Sequence, residues 1–335
     1  MYNLLKNLCM TSGISGRENS VREKIISLSS PLCDGYSTDN LGNLIAVKHG
    51  TSENPKKIML CAHMDEIGFL VTFIEKTGYL RIAPVGGINF HAAAFSAVIS
   101  GSGVPGVIVP ESGVKPEDYS ADKFYIDIGA KDKKEAEKKV KIGDFFVVKP
   151  ELIKLCGKKV AGRPLDDRAG CAILIEIMKS LSEKQTCNDV YYVFSVQEEV
   201  GCRGAKPASF GIAPDYALVF DVTATGDSLG AKPMECRVGD GAAIKIKDSS
   251  VICNTEVVEK LRELAEKKQI KHQTEILTYG GTDTSSIQMS GAGVKVGALS
   301  VPARYIHSGT ELIDLSDATA CAVLAEEFIL NIYKE

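Results

Sequence analysis

Apolar and polar positions along this chain alternate in two textures. Residues 1–30, "MYNLLKNLCMTSGISGRENSVREKIISLSS", carry apolar positions at helical spacing on both sides of an "SGISG" turn, predicting two short helices. Glu18 follows Ser15 at capping-box spacing, so Ser15 is expected to cap the second. "NLIAVKHG" and "KKIMLCAHMD" are apolar runs of strand length, separated by the polar "TSENP" turn. From about 68 to 160 the pieces shorten and are broken by glycine and proline: "GFLVTFI", "YLRIAPVGG", "SAVISGSG", "PGVIVP", "KFYIDIGA", "DFFVVKP". Strands this close together predict a small barrel or sandwich. The charged run at 131–144 within them reads as a helix with a solvated face.

Beyond about 160, helices and strands alternate again. "DDRAGCAILIEIMKSL", "NTEVVEKLRELAEKKQ" and "SDATACAVLAEEFILNIYK" read as helices, and "DVYYVFSVQ", "YALVFDV" and "VKVGALSVP" as strands. Such near-continuous apolar strands belong in a sheet covered on both faces. The expected fold is therefore α/β: a central mixed sheet flanked by helices, built from residues 1–67 and 161–335, with residues 68–160 as an inserted small β-barrel domain. Insertion at an exposed loop costs little closure entropy.

Composition narrows the possibilities. With 39 basic and 43 acidic residues the net charge is −4, which argues against a nucleic-acid binder. No apolar stretch approaches the roughly 20 residues of a membrane span. The first residues lack the basic start and long apolar core of an export signal, and the 10 cysteines are scattered singly. We expect a cytoplasmic protein with reduced thiols, several of them buried (Cys61, Cys171, Cys321).

Ionisable residues gather where apolar strands end. His63 and Asp65 follow "KKIMLCA", Asp166 and Asp167 open the helix in "GRPLDDRAG", and Glu198 and Glu199 follow "YYVFSVQ". Asp221 follows "YALVF", and His307 follows "VGALSVPARYI". Ligands of open sheets bind outside the carboxyl ends of strands, so all five groups are expected to face one crevice. Each alone has an ordinary explanation: a satisfied histidine, a solvated glutamate pair, an aspartate cap. Together they concentrate negative charge that repels itself unless a cation is present. Oxygen and imidazole donors without thiolate suit zinc, cobalt or manganese. Two ions about 3.5–4 Å apart would need one bridging carboxylate, two terminal ligands each and one free carboxylate as base. The chain supplies that count, the spare base being one of Glu198 and Glu199. Asp65 is placed to accept the other ring N–H of His63.

The motifs "AHMDEIGF", "GRPLDDRAGC", "SVQEEVGCRGA", "VFDVTATGD" and "GGTDTSSIQMSGAGVKVGALSVPARYIHS" together closely resemble those of the tetrahedral, glutamyl-type aminopeptidases, a family of dinuclear metallopeptidases. The resemblance runs from "TSGISGRE" to the final helix and includes "FYIDIGA". It implies that His63, Asp166 and Asp221 hold one metal, and Asp166, Glu199 and His307 the other, with Asp166 bridging. It further implies Asp65 as orienter of His63, Glu198 as general base acting on a bridging water, and a cis peptide between Asp166 and Asp167. Zinc is the expected ion, cobalt or manganese the alternatives. The implied reaction is release of N-terminal residues from peptides, by dimers assembled into a hollow dodecamer through the inserted domain. The stretches "GGINFHAAAFSAVISG" and "VIVPESGVKP" depart from the family pattern. His91 is expected to be structural or exposed, and His49 and His272 lie at the surface. "YGGTDTSSIQMSG" reads as a helix cap or as a wall of the substrate pocket, and Arg304 as framework.

Two rivals follow from the same residues. A dinuclear deacylase of N-acyl amino acids would share the metal set but take blocked amines. A silent metal-binding or assembly protein would lack a base, and Glu198 is present. A cellulase needs two carboxylates at a set separation and leaves the histidines without a role.

Overall fold

The computed structural model of the protein describes residues 1–332. The chain opens with α1 (Tyr2–Cys9), α2 (Asn19–Ser29), β1 (Gly35–Thr38), β2 (Leu44–Lys48) and β3 (Lys57–His63). Six strands follow: β4 (Gly68–Ile74), β5 (Leu80–Val85), β6 (Ser96–Ser100), β7 (Pro105–Pro110), β8 (Phe124–Asp127) and β9 (Phe145–Val148). Short helices α3 (Phe90–Ala93) and α4 (Lys133–Glu137) lie among them. Next come β10 (Glu151–Lys154), β11 (Lys159–Arg163), α5 (Arg168–Leu181), β12 (Asp189–Ser195), α6 (Ala205–Ile212) and β13 (Tyr216–Thr223). The chain continues through β14 (Ala242–Lys247), α7 (Thr255–Lys268), β15 (His272–Ile276), α8 (Asp283–Gln288), β16 (Lys295–Arg304), β17 (Glu311–Asp314) and α9 (Leu315–Asn331).

The main sheet has 11 strands in the order β1-β2-β12-β3-β13-β16-β17-β11-β10, with β14 beside β16 and β15 beside β14. β12, β3, β13 and β16 run parallel, whereas β2, β14 and β17 join antiparallel, so the sheet is mixed and flanked by helices. β13 is buried at every position, which is why it reads as an unbroken apolar run. Helix α5 packs on β3 and β13, and the Asp167 side chain caps it by accepting from Gly170 N at 2.8 Å.

β4 to β9 close into an antiparallel barrel in the order β4-β5-β8-β7-β6-β9. Its interior is filled by Phe69, Phe124 and Phe146, with the Phe90 ring 4.9 Å from that of Phe124. β10 and β11 pair with each other and, through β17, with the main sheet.

Two local expectations fail. The charged run at 131–144 is helical only over Lys133–Glu137. Its crowded lysines repel at helical spacing, and so short a helix has little cooperative support. Ser15 does not cap α2: its hydroxyl donates to Asp65 Oδ2 at 2.6 Å, and Glu18 occupies the cap position.

Candidate metal centre

The parallel strands bring their carboxyl ends to one edge of the sheet. His63 closes β3, Asp221 lies near the end of β13, Glu198 and Glu199 follow β12, and His307 follows β16. Asp166 lies in the turn between β11 and α5, where its peptide to Asp167 is cis; β11, antiparallel to β17 and so aligned with β16, ends at the same edge.

Asp166 sits between the two histidines. Its Oδ1 lies 3.1 Å from His63 Nε2 and its Oδ2 lies 3.2 Å from His307 Nε2. Glu199 Oε2 is also 3.2 Å from His307 Nε2, while Asp221 Oδ1 is 3.8 Å from His63 Nε2. One carboxylate thus joins two half-sites, His63 with Asp221 and His307 with Glu199. Glu198 stands apart, its Oε2 4.0 Å from His63 Nε2 and its Oε1 accepting from Cys202 Sγ at 3.2 Å.

The electrostatics call for a cation. Burial pushes the carboxyl groups of Asp221 and Glu198 well above the usual range, with His63 the largest opposing influence. Burial acts the same way on Asp166, but hydrogen bonds from His307 and His63 outweigh it and hold that carboxyl below the usual range. For His307 burial opposes charge, yet the hydrogen bonds to Asp166 and Glu199 win and raise it to about 11. The donor atoms of His63, Asp166 and Glu199 lie within 4.8 Å of one another, as do those of His63, Asp167 and Asp221. Asp167 Oδ2 is buried without a hydrogen-bond partner, an expensive arrangement unless a cation is its counterpart. Imidazole and carboxylate donors, buried and mutually repelling, fit divalent metal ions.

The surrounding groups hold these candidate ligands in place. His63 Nδ1 is 3.1 Å from the main-chain carbonyl of Asp65, and the Asp65 carboxylate is 3.6 Å away. That carboxylate accepts instead from the N–H groups of Glu198 (3.0 Å) and Glu199 (3.2 Å), so Asp65 anchors the two glutamates as well as standing beside the ring. His307 Nδ1 is 2.9 Å from the Gly87 carbonyl, just past β5, so the segment after that barrel strand orients a residue that follows β16 of the main sheet. Gln197, Tyr305 and His307 take φ of 56°, 61° and 60°, a concentration of left-handed residues at the site loops.

Sequence reading missed several contributors. Glu311 is buried, and its Oε2 accepts from the N–H of Leu165 (2.6 Å) and Asp166 (3.1 Å) while Oε1 accepts from His307 N at 3.2 Å. Burial pushes it up to about 7. It ties both histidine-facing sides of the site together, and only an acidic residue inside an apolar strand, "TELID", signalled it. Asp283 accepts from Ser195 Oγ at 2.5 Å beneath β12 and is pushed up to about 6 by burial. Asp167, read as a cap, also reaches the His63 side of the centre. The remaining histidines stay outside: His91 is exposed against the Tyr119 ring (5.4 Å), His49 is exposed, and His272 is at the surface edge of β15.

A cavity of about 730 Å³ opens over the site. Thr282 lines it and also caps α8 by accepting from Thr284 N, as the cap reading of that loop expects. Arg304 is held by two bonds to Asp227, 3.0 and 2.6 Å.

Among the described residues, no helix is long and apolar enough to cross a membrane. The model of the M42 glutamyl aminopeptidase family matches residues 42–324. A putative aminopeptidase of Acetivibrio thermocellus is 44% identical over 98% of both chains. The lysyl aminopeptidase of Pyrococcus furiosus is 32% identical over 98% of this chain and 96% of its own. The solved TET1 peptidase of Pyrococcus horikoshii, described as able to assemble into a tetrahedron or a large octahedral shell, superposes with a TM-score of 0.88 at 36% identity, covering 98% of this chain and 99% of its own. The family model, the full-length relatives and the shared fold lead to one conclusion: the chain belongs to the M42 glutamyl aminopeptidase family and is an aminopeptidase.

Proposed function

We propose that this aminopeptidase hydrolyses the first peptide bond of peptides at a two-metal centre, with Glu198 as general base. The observation that carries the reading is the division of one carboxylate, Asp166, between His63 at 3.1 Å and His307 at 3.2 Å. His63, Asp166 and Asp221 would hold one divalent ion, and Asp166, Glu199 and His307 the second, zinc being the first choice and cobalt or manganese the alternatives. When bound, the ions supply Lewis acidity and make water a stronger acid.

The chain's own residues do the rest. Glu198 Oε2 takes the proton of the attacking water and delivers it to the departing amine. Asp65 fixes its backbone, and Gly87 and Glu311 fix His307. The barrel is proposed as the dimerisation and assembly domain, with residues 1–67 and 161–335 as the catalytic domain. A dodecamer built from dimers is supported by the likeness to the horikoshii peptidase, described as able to assemble into a tetrahedron. A cytoplasmic location agrees with ten cysteines, all free.

The test is hydrolysis of aminoacyl-p-nitroanilides by metal-stripped protein with zinc, cobalt or manganese restored. Metal-dependent release from free-amine substrates alone supports the reading. Cleavage confined to N-acetylated substrates would assign the site to deacylation.

A further inference from the structure

We propose that the cavity over the metal centre selects peptides whose N-terminal side chain is neutral and apolar over acidic and basic ones. The proposal rests on the aminopeptidase reading of the same site and concerns only what the first residue must be.

Away from the candidate ligands, Val222, Leu277, Tyr279 and Ile306 supply the large apolar surfaces of the wall, beside smaller polar residues such as Thr225 and Ser228. Two cationic residues reach it, Lys245 and Arg304, and neither is free. Lys245 is only 1% exposed; its ammonium is bonded to Glu275 and lies 3.4 Å from Asp248 Oδ2. Glu275 also accepts from Thr223 Oγ1 at 2.9 Å, so the group is a buried network. Its ammonium is thus already engaged by two acidic side chains. Arg304 spends its planar fork on Asp227, one cation against one anion. An acidic first residue would therefore lose its hydration without gaining a free counter-ion.

A basic first residue fares no better. Among the described residues lining the cavity, the acidic ones are Asp166, Glu198, Glu199 and Asp221, all of them candidate ligands or the base. Glu275 and Asp248 are sealed beneath the wall, 0% and 2% exposed. An ammonium would be stripped of water against Leu277 and Ile306. An aliphatic side chain suits the same surface, where each methylene buried is worth roughly tenfold or more in kcat/KM.

The experiment compares leucyl-, glutamyl- and lysyl-p-nitroanilide, with N-acetyl-leucyl-p-nitroanilide as control, on the metal-loaded full-length protein. The expected result is a kcat/KM for leucine at least about tenfold above both charged substrates. A glutamyl or lysyl rate equal to or above the leucyl rate overturns the proposal and leaves the aminopeptidase reading intact. No release from any free-amine substrate, with the acetylated control cleaved, defeats that reading and the proposal with it. A second variant locates the wall. Leu277→Arg places an unmatched cation there and is expected to raise the glutamyl-to-leucyl ratio about tenfold while lysyl turnover stays low. An unchanged ratio in a folded, metal-loaded Leu277→Arg protein would refute the assignment of this surface to the first side chain.

Discussion

Replacing Glu198 with glutamine separates proton transfer from metal holding. Glu198 is not part of either half-site around Asp166: its nearest approach to His63 Nε2 is 4.0 Å, beyond the 3.1 Å of Asp166. The amide has the same size, and its oxygen can still accept from Cys202 Sγ, as Oε1 does at 3.2 Å. The Glu198 N–H donates to Asp65 from the main chain and is untouched. Loss of negative charge also relieves repulsion with Asp283, Glu199 and Asp166, so the fold has no reason to weaken. What disappears is the proposed proton acceptor. A positioned general base contributes about 10²–10⁴-fold, which at 1.36 kcal/mol per tenfold is about 2.7–5.4 kcal/mol of barrier. Glu198→Gln should therefore keep the wild-type metal content by elemental analysis and lose at least about a hundredfold in kcat on its best substrate. Turnover within a few-fold of wild type, with metal content unchanged, would refute Glu198 as the base.

Other substitutions probe the supports. His307→Ala removes the only imidazole of its half-site, and titration with zinc should fall from two ions per chain to about one. Glu311→Gln exchanges one acceptor oxygen for a donor between Asp166 and His307, and should weaken metal affinity about 10–100-fold, read by competition with a chelator, with little change in secondary structure by circular dichroism. Asp227 is held down to about 2 chiefly by its bonds to Arg304, below the roughly 3.9 of an unfolded aspartate. Its contribution to stability is present above about pH 4 and fades as pH falls toward about 2. Asp227→Asn should lower Tm at neutral pH by about 1–2 °C and progressively less below pH 4.

The main sheet was readable because burial on both faces leaves unbroken apolar runs, and because five charged groups interrupt those runs at strand ends. The barrel was readable from closely spaced strands with glycine and proline between them, although spacing alone left barrel and sandwich open. Contacts made across the fold left little trace. The Ser15 hydroxyl serves Asp65, fifty residues on, and the Gly87 carbonyl serves His307, 220 residues on. Periodicity registers neighbours on one element and is silent about such partners. The same limit hid Glu311, whose two oxygens are divided between the Asp166 turn and the loop at His307. It also made Ser15 look like a cap, since the local capping-box pattern competes with a more distant carboxylate that the letters cannot place.

The account stands most directly on the number of metal ions that restore activity. The protein is stripped with chelator, zinc is returned in measured equivalents, and hydrolysis of leucyl-p-nitroanilide is followed beside its acetylated counterpart. The account predicts recovery that is complete at two equivalents per chain, confined to the free amine and abolished in Asp166→Ala. Full activity in the stripped protein, or full recovery at one equivalent with Asp166→Ala still active, would contradict it.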